Sequence, residues 1–490
     1  MVRNPYSILS LLFLFDLQRY RKYNEIEIIV EGGEMPNKLR AGSAATNITP
    51  PLGTAMPGGF RPRYAEDIDD ELLVKSLVVD NGSVRLAMVT CDLIVVTQEI
   101  VDQAKERIEE RCGIAARYVM INATHTHTAV AVADLLGVNK DKSYIDWVYL
   151  KIADVVELAI RRLQPARIGF ASVDEDRIAF YRRWRMKDGT VKMNPGIKHQ
   201  DLVEPVGDID PEIAMMYVES ENGISISAVA NFSLHYIGTD SGSAISADYF
   251  GHFSRLLKRY LGETCISLLW NAASGQINNI DFSGRSQWTD QGHRQAEKMA
   301  NVLAGHLITE MQFMQMHETV ELNGVIDILE FPRKEISSAD LELAEKILSV
   351  PVGSYDDYEV GPFNWVVGQP IPTGLVDVYA LECQRLAKLP RNLTAPVQLL
   401  RLGEAVIVAL PGEIFVEIGL DIKSSSKGEP TFLVSLANGY IGYVCTDEAL
   451  IDQGGYETWA ALSSLGGVGT AQAIDDLVSS LFPKVMSSPN

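Results

Sequence analysis

Short runs of alternating β-branched and polar residues recur along the chain, separated by stretches in which apolar residues return at i, i+3, i+4 and i+7, the signature of amphipathic helices. The clearest of these starts at Thr97, a hydroxyl able to cap a helix, and continues with Ile100, Val101, Ala104 and Ile108 on one stripe. The same reading predicts helices over 97–111, 144–163, 248–261, 290–312, 338–349, 374–388 and 470–483. Asn81-Gly82, Asn222-Gly223 and Leu402-Gly403-Glu404 each lie between two apolar alternating runs, where tight turns need the positive φ values that Asn and Gly supply. Antiparallel hairpins are therefore expected within an α/β fold, a mixed β-sheet layered with α-helices. No fixed-period repeat, low-complexity linker or charge block breaks the pattern. A single large domain over 38–490 is expected, with a smaller inserted layer within 318–375.

The polar residues fall where the strands end. In open α/β sheets the crevice beyond the carboxyl ends of the strands is where ligands bind. Tyr118–Ile121 leads into Asn122-Ala-Thr-His125-Thr-His127-Thr128, and Ile224–Phe232 leads into Ser233-Leu-His235. Ile266–Trp270 leads into Asn271-Ala-Ala-Ser274-Gly-Gln276-Ile-Asn278-Asn279, and Ala405–Leu410 into Pro411-Gly412-Glu413. Phe432–Leu436 leads into Ala437-Asn-Gly-Tyr440-Ile-Gly-Tyr443. In an extended segment His125 and His127, two apart, leave the backbone on one side and suit one metal or one ligand. A hydrogen-bonded surface pair is the other reading of that spacing, and a core histidine the other reading of His235. Glu413 follows an apolar strand, where a carboxylate without a cation is costly, unless it sits at the N-terminus of the next helix.

Composition narrows the partners. The 490 residues carry 43 Lys+Arg against 64 Asp+Glu, a net charge of −21 that repels nucleic-acid backbones and anionic lipid headgroups. A small-molecule substrate is expected, with no nucleic acid and no stable membrane insertion. The five cysteines are an odd number without a C-x-x-C pair, so a reducing, cytoplasmic setting is expected over secretion. The apolar run Leu11 to Phe15 is too short to span a bilayer and lacks a cleavage site of small residues after it. Met35 opens a second plausible start, so residues 1–37 are expected to be an extension outside the native protein.

Five blocks then carry a resemblance. N-A-T-H-T-H-T at 122–128, His235 with S-A-D at 246–248, N-A-A-S-G-Q-I-N-N at 271–279, L-P-G-E at 410–413, and L-A-N-G-Y-I-G-Y-V with Y-E at 456–457 resemble, in order, the catalytic domain of the neutral (non-lysosomal) ceramidases. The resemblance covers about residues 40–484. It implies one zinc ion held by His125, His235, Glu413 and Tyr443. It also implies catalytic roles for His127 in proton transfer, Tyr456 as a donor to the developing oxyanion, and Arg182 within the site. Two imidazoles, a carboxylate and a phenol make an N/O donor set suited to zinc, with room for a water.

The departures from the family are as specific. Asn278, expected within the catalytic site, stands where the ceramidases carry a serine proposed as nucleophile, and a carboxamide is not acylated. Ser274 is the nearby substitute, out of register. Thr128-Ala129-Val130 replaces a glycine-rich continuation, and the C-terminal sandwich domain of the ceramidases is expected to be missing. The expectation is a zinc hydrolase attacking an amide, or a related acyl or lactone bond, of a small soluble substrate. The alternatives are ceramide itself as the substrate, and a non-catalytic zinc protein of the same fold. Asp248 is expected to support a ligand histidine, and Gly58, Gly59, Arg61 and Arg63 to line the entrance. His199, His252, His293, His306 and His317 are expected to pack or face solvent.

Overall fold

The computed structural model describes residues 38–286, 290–351 and 363–487. The expectations for residues 1–37 lie outside them. Eight strands form one sheet: β1 (Arg40–Asn47), β2 (Leu73–Asp80), β3 (Arg85–Cys91), β4 (Val119–Ala123), β5 (Gln164–Asp174), β6 (Glu212–Ser220), β7 (Ser225–Phe232) and β8 (Ile266–Asn271). Their spatial order is β8-β7-β6-β5-β1-β2-β3-β4. A second sheet has the order β9 (Leu322–Pro332), β10 (Asn392–Leu402), β11 (Ala405–Ala409) and β12 (Thr431–Val434). The helices are α1 (Gln98–Cys112), α2 (Lys142–Arg161), α3 (Asp248–Leu261), α4 (Gly292–Glu310), α5 (Ser338–Leu348), α6 (Val376–Ala387), α7 (Val416–Ser425) and α8 (Thr470–Met486).

Local chemistry sets these boundaries. Thr97 accepts from the Ile100 N–H to start α1, and Gly113, at φ 68°, ends it by donating to the Glu109 carbonyl. The three expected hairpins all form, with Gly82, Gly223 and Gly403 at positive φ between β2 and β3, β6 and β7, and β10 and β11. All seven predicted helices are present within a few residues of their expected ends; α7 was not among them. The inserted layer lies between β9 and β10 and is built on α5 and α6, so it starts after residue 332, not at 318. Its core gathers Phe363, Ile371, Tyr379 and Trp459.

Within these two sheets three strand pairs are parallel: β3 with β4, β7 with β8, and β11 with β12. Each crossover carries one helix, α1, α3 and α7, as a parallel connection requires. Period-2 alternation assigns each strand two faces. Along β3, Leu86 and Met88 enter a core shared by both sheets, while Ala87, Val89 and Cys91 pack outward with α1 and α2. The shared core includes Trp270, Leu400, Ile407 and Phe432, and each fully buried apolar side chain of this size contributes roughly 1.5–3 kcal/mol.

This packing stitches the strand ends together. Trp270 Nε1 of β8 donates to Thr90 Oγ1 of β3 at 2.9 Å, and Asn231 Nδ2 of β7 donates to the Leu433 carbonyl of β12 at 2.8 Å. Beyond the strands, Ala123 N–H reaches Leu436 O at 3.1 Å, Ser435 N–H reaches Asn271 O at 3.0 Å, and Ala272 N–H reaches Phe232 O at 2.9 Å. The carboxyl ends of all three parallel pairs therefore meet at one place.

Candidate metal and active site

The block after β4 does not run extended. Thr124 and His125 N–H groups donate to Cys91 O and Leu93 O, both at 2.9 Å, and His125 adopts φ 76°, a left-handed conformation rare outside glycine. The turn, not a strand, is what brings His125 and His127 together, with ring centroids 4.7 Å apart and planes at 86°. Thr126 and Thr128 hydroxyls both donate to the Ser246 carbonyl, at 2.6 and 3.0 Å, so the T-H-T and S-A-D blocks dock on each other.

The side-chain hydrogen bonds decide the protonation of the three imidazoles. His125 Nδ1 meets Ile94 O at 2.7 Å, His127 Nδ1 meets Gly58 O at 3.2 Å, and His235 Nδ1 meets Ser274 O at 3.3 Å. A carbonyl only accepts, so in each ring Nδ1 carries the proton and Nε2 is bare. The bare nitrogens face one another: His125 Nε2 is 3.2 Å from both His235 Nε2 and His127 Nε2. Glu413 Oε2 lies 3.3 Å from His125 Nε2 and 3.9 Å from His235 Nε2, buried and without a hydrogen-bond donor. Its other oxygen accepts from Tyr440 at 2.8 Å.

Burial pushes the pKa of His127 and of His235 well below the usual histidine value. Converging lone pairs and an orphaned carboxylate oxygen repel each other unless a cation sits among them. These donors fit a divalent ion of the zinc type. Among the described residues, His125, His127 and His235 are the group of three whose ligand atoms lie within 4.8 Å of one another.

A second layer of polar groups faces the same point. The hydroxyls of Tyr443 and Tyr456 hydrogen-bond to each other, and Arg182 Nη2 donates to Tyr456 at 3.1 Å and to Gly275 O at 2.6 Å. Arg182 Nε donates to Glu457 Oε1 at 3.0 Å, with side chains 4% and 0% exposed. Burial raises the pKa of both tyrosines, so each stays a phenol at neutral pH. The group opens into a cavity of about 1070 Å³. One flank is apolar, with Phe60, Leu135, Leu136 and Leu375, and another carries Asn194, Asn278 and Asn279.

No family model matches the sequence, and no curated protein matches it. The solved structures do. Neutral ceramidase from Pseudomonas aeruginosa superposes with a TM-score of 0.68 at 18% identity, covering 93% of this chain and 77% of that one. A ceramidase complexed with C2 gives 0.67 at 18% identity, covering 92% and 77%. The fold is that of neutral ceramidase.

Within this ceramidase fold the structure gathers His125, His127, His235, Glu413, Tyr443, Tyr456, Arg182 and Asn278 around one cavity. The resemblance leaves His127 outside the ligand set, yet its Nε2 is as near His125 Nε2 as that of His235, so the geometry makes it a ligand candidate too. Asp248 supports no imidazole. It accepts from the Ile237, Gly238 and Tyr249 N–H groups at 3.1, 2.7 and 2.6 Å and so holds the loop after His235, while carbonyls take the supporting role on all three rings. Ser274 donates to Asn271 Oδ1 at 2.7 Å. Gly58 and Gly59 line the cavity, whereas Arg61 pairs with Asp377 and Arg63 braces the Pro57, His127 and Gly242 carbonyls.

Some partners were not legible along the chain. His293 pairs with Asp69 at 2.6 Å and contacts His252, and His306 pairs with Glu175 at 3.0 Å, so these rings have specific partners away from the site. Tyr236, stacked on His127 at 3.6 Å, Tyr440 and Glu457 received no role from the sequence, although each stands within three residues of one that did.

Gly58 sets the position of His127. It has φ 84°, and a Cβ there would fall 2.3 Å from His127 Nδ1. Gly58→Ala is expected to lower turnover by roughly 100-fold or more, the scale of a lost acid–base group, with metal content close to wild type where His127 acts as acid–base group and reduced where it is a ligand. Unchanged kcat in a metal-replete sample would show that the position of His127 is immaterial.

Proposed function

We propose that this protein is a zinc-dependent hydrolase that cleaves an amide, or a related acyl or lactone bond, of a small soluble substrate. The observation that carries the reading is the convergence of three bare Nε2 atoms and the donorless Glu413 Oε2 on the wall of a large cavity. His125, His235 and Glu413 would hold the ion, with Tyr443 and His127 beside them. When bound, such an ion supplies a water activated near neutral pH and polarises the scissile carbonyl.

The chain's own groups supply the rest. His127, with Nδ1–H committed to Gly58 O, offers Nε2 to take a proton and return it to the leaving amine. Tyr456 donates its hydroxyl to the developing oxyanion, positioned by Arg182. Asn278 supplies no nucleophile. The likeness to ceramidases supports the reaction class, and the five unpaired cysteines support a reducing, cytoplasmic setting. No helix among the described residues is long and apolar enough to cross a membrane.

The test is elemental mass spectrometry on protein purified without added metal, followed by chelation. About one zinc per chain is expected, with loss of both metal and acyl release from a short N-acyl amide on chelation and recovery of both on zinc addition. Absence of any transition metal, with full activity, would overturn the reading. Release from a short-chain ceramide but not from soluble amides would move the substrate to the lipid. Zinc without any turnover or hydroxamate binding would make the site structural.

A further inference from the structure

The cavity wall beside Arg182 carries a row of carboxamides that the hydrolytic steps leave unused. Asn278 Nδ2 donates to Asn194 Oδ1 at 3.0 Å, and both residues line the cavity. Behind them Asn279 Nδ2 donates to Gln295 Oε1 at 2.9 Å, and Gln295 Nε2 returns a bond to the Asn279 carbonyl at 3.1 Å. This closed, buried ring fixes the segment carrying Asn278 against α4. Asn194 is fixed from the other side: its N–H donates to Arg182 O at 2.9 Å, and the Arg182 N–H donates to Gln276 O at 3.0 Å. Asn194 also holds φ 47°, a left-handed turn conformation that asparagine tolerates better than most non-glycine residues.

A carboxamide has one carbonyl and two N–H bonds. A single link between two of them leaves a free carbonyl on one and a free N–H on the other, whichever way the pair is turned. Asn278 Oδ1 and Asn194 Nδ2 have no other partner among the described residues. The adjacent cation, Arg182, is already engaged by Glu457, the Gly275 carbonyl and Tyr456, so the pair offers a donor and an acceptor without net charge.

We propose that Asn194 and Asn278 form a substrate subsite for an uncharged group that both donates and accepts a hydrogen bond, a hydroxyl or a carboxamide, carried close to the scissile bond. The inference rests on the hydrolase reading and gives Asn278 a recognition role in place of a catalytic one.

Four matched amides test it: N-hexanoylserinol, N-hexanoylglycinamide, N-hexanoylglycine and N-propylhexanamide. In the wild type the first two should exceed the last two in kcat/KM by roughly 2- to 10-fold, the range of one net hydrogen bond at a pair that water can otherwise reach, since Asn194 is exposed and Asn278 half-buried. In Asn194→Leu and Asn278→Leu those ratios should fall toward one. Because each ratio is taken within one preparation, it does not depend on the fraction folded or loaded with metal. Asn194→Asp keeps the shape and the acceptor for Asn278 while exchanging the free N–H for an anionic oxygen, and should cancel the preference with the fold retained. Ratios unchanged in all three variants overturn the proposal. Calorimetric binding of hexanesulfonyl serinol against N-propylhexanesulfonamide, neither of them hydrolysed, reads the subsite without turnover. A serinol preference in the wild type that disappears in Asn194→Leu upholds the subsite even where no amide is cleaved. Equal binding in the wild type overturns it even where hydrolysis stands.

Discussion

Alanine at Glu413 is expected to remove metal and turnover together. Glu413 is the anionic member of the converging donor set, and its Oε2 has no hydrogen-bond donor to satisfy it, so that lone pair is directed at the ion's position. Losing a residue that merely supports a ligand costs about 10- to 100-fold in metal affinity, and losing the carboxylate itself should cost at least that. Turnover should fall by roughly 1,000-fold or more, because the activated water and the polarised carbonyl are lost at once.

Stability should separate this role from a structural one. In metal-free protein the substitution removes a buried carboxylate with one orphaned oxygen, and leaves Tyr440 without its acceptor. These effects oppose each other and should leave stability within about 1 kcal/mol of wild type. Added zinc at 100 times its Kd should stabilise the wild type by about 2.7 kcal/mol and leave Glu413→Ala unmoved. Thermal unfolding with and without zinc reads this directly, and an equal shift in both proteins would place the ion elsewhere.

Glu457→Gln is expected to give the largest loss of stability among isosteric changes at the site. Glu457 is fully buried, pairs with Arg182 at 3.0 Å and lies 3.6 Å from Arg183, itself 1% exposed. Glutamine keeps the volume and removes the counter-charge from two buried guanidiniums. Breaking a buried ion pair from one side costs about 3–5 kcal/mol, since the remaining charge stays desolvated. Arg182 should then lose its fixed orientation, and with it the hydrogen bond to Tyr456. Tyr456→Phe makes the contrast: it should lose roughly 100-fold in kcat with little change in the unfolding midpoint, because it deletes one hydroxyl from an otherwise intact shell. Urea unfolding and steady-state kinetics on both variants decide the matter, and a Glu457→Gln protein as stable as wild type would mean that the arginines are balanced by other groups.

Much of this molecule was legible along the chain because its determinants are local. The stripe Ile100, Val101, Ala104 and Ile108 needs only its own spacing to bury one face of α1, and Asn81-Gly82 or Asn222-Gly223 reverses the chain whatever lies around it. The α/β class follows from such features, as does the expectation that polar blocks stand at strand ends. The order of five short blocks also carried the likeness to the ceramidases, which the superposition bears out at the level of fold.

Tertiary structure decided the rest. Helix α7 escaped prediction because it directly follows the P-G-E block in an apolar stretch, where a short buried helix and a strand look alike. The site depends on residues 110 positions apart, such as His125 and His235, meeting at 3.2 Å. No local spacing encodes that distance; it arises because the parallel pairs β3/β4, β7/β8 and β11/β12 end at one place when the two sheets share a core. The burial of Arg182 and Arg183 was likewise a tertiary outcome, since Glu457, 275 residues from Arg182, supplies the charge that makes burial tolerable. The sequence alone determined which chemical groups are available and which strand ends carry them. Their tautomers, their mutual distances and the cavity they share exist only in the folded chain, because each depends on a backbone carbonyl or side chain delivered from another strand.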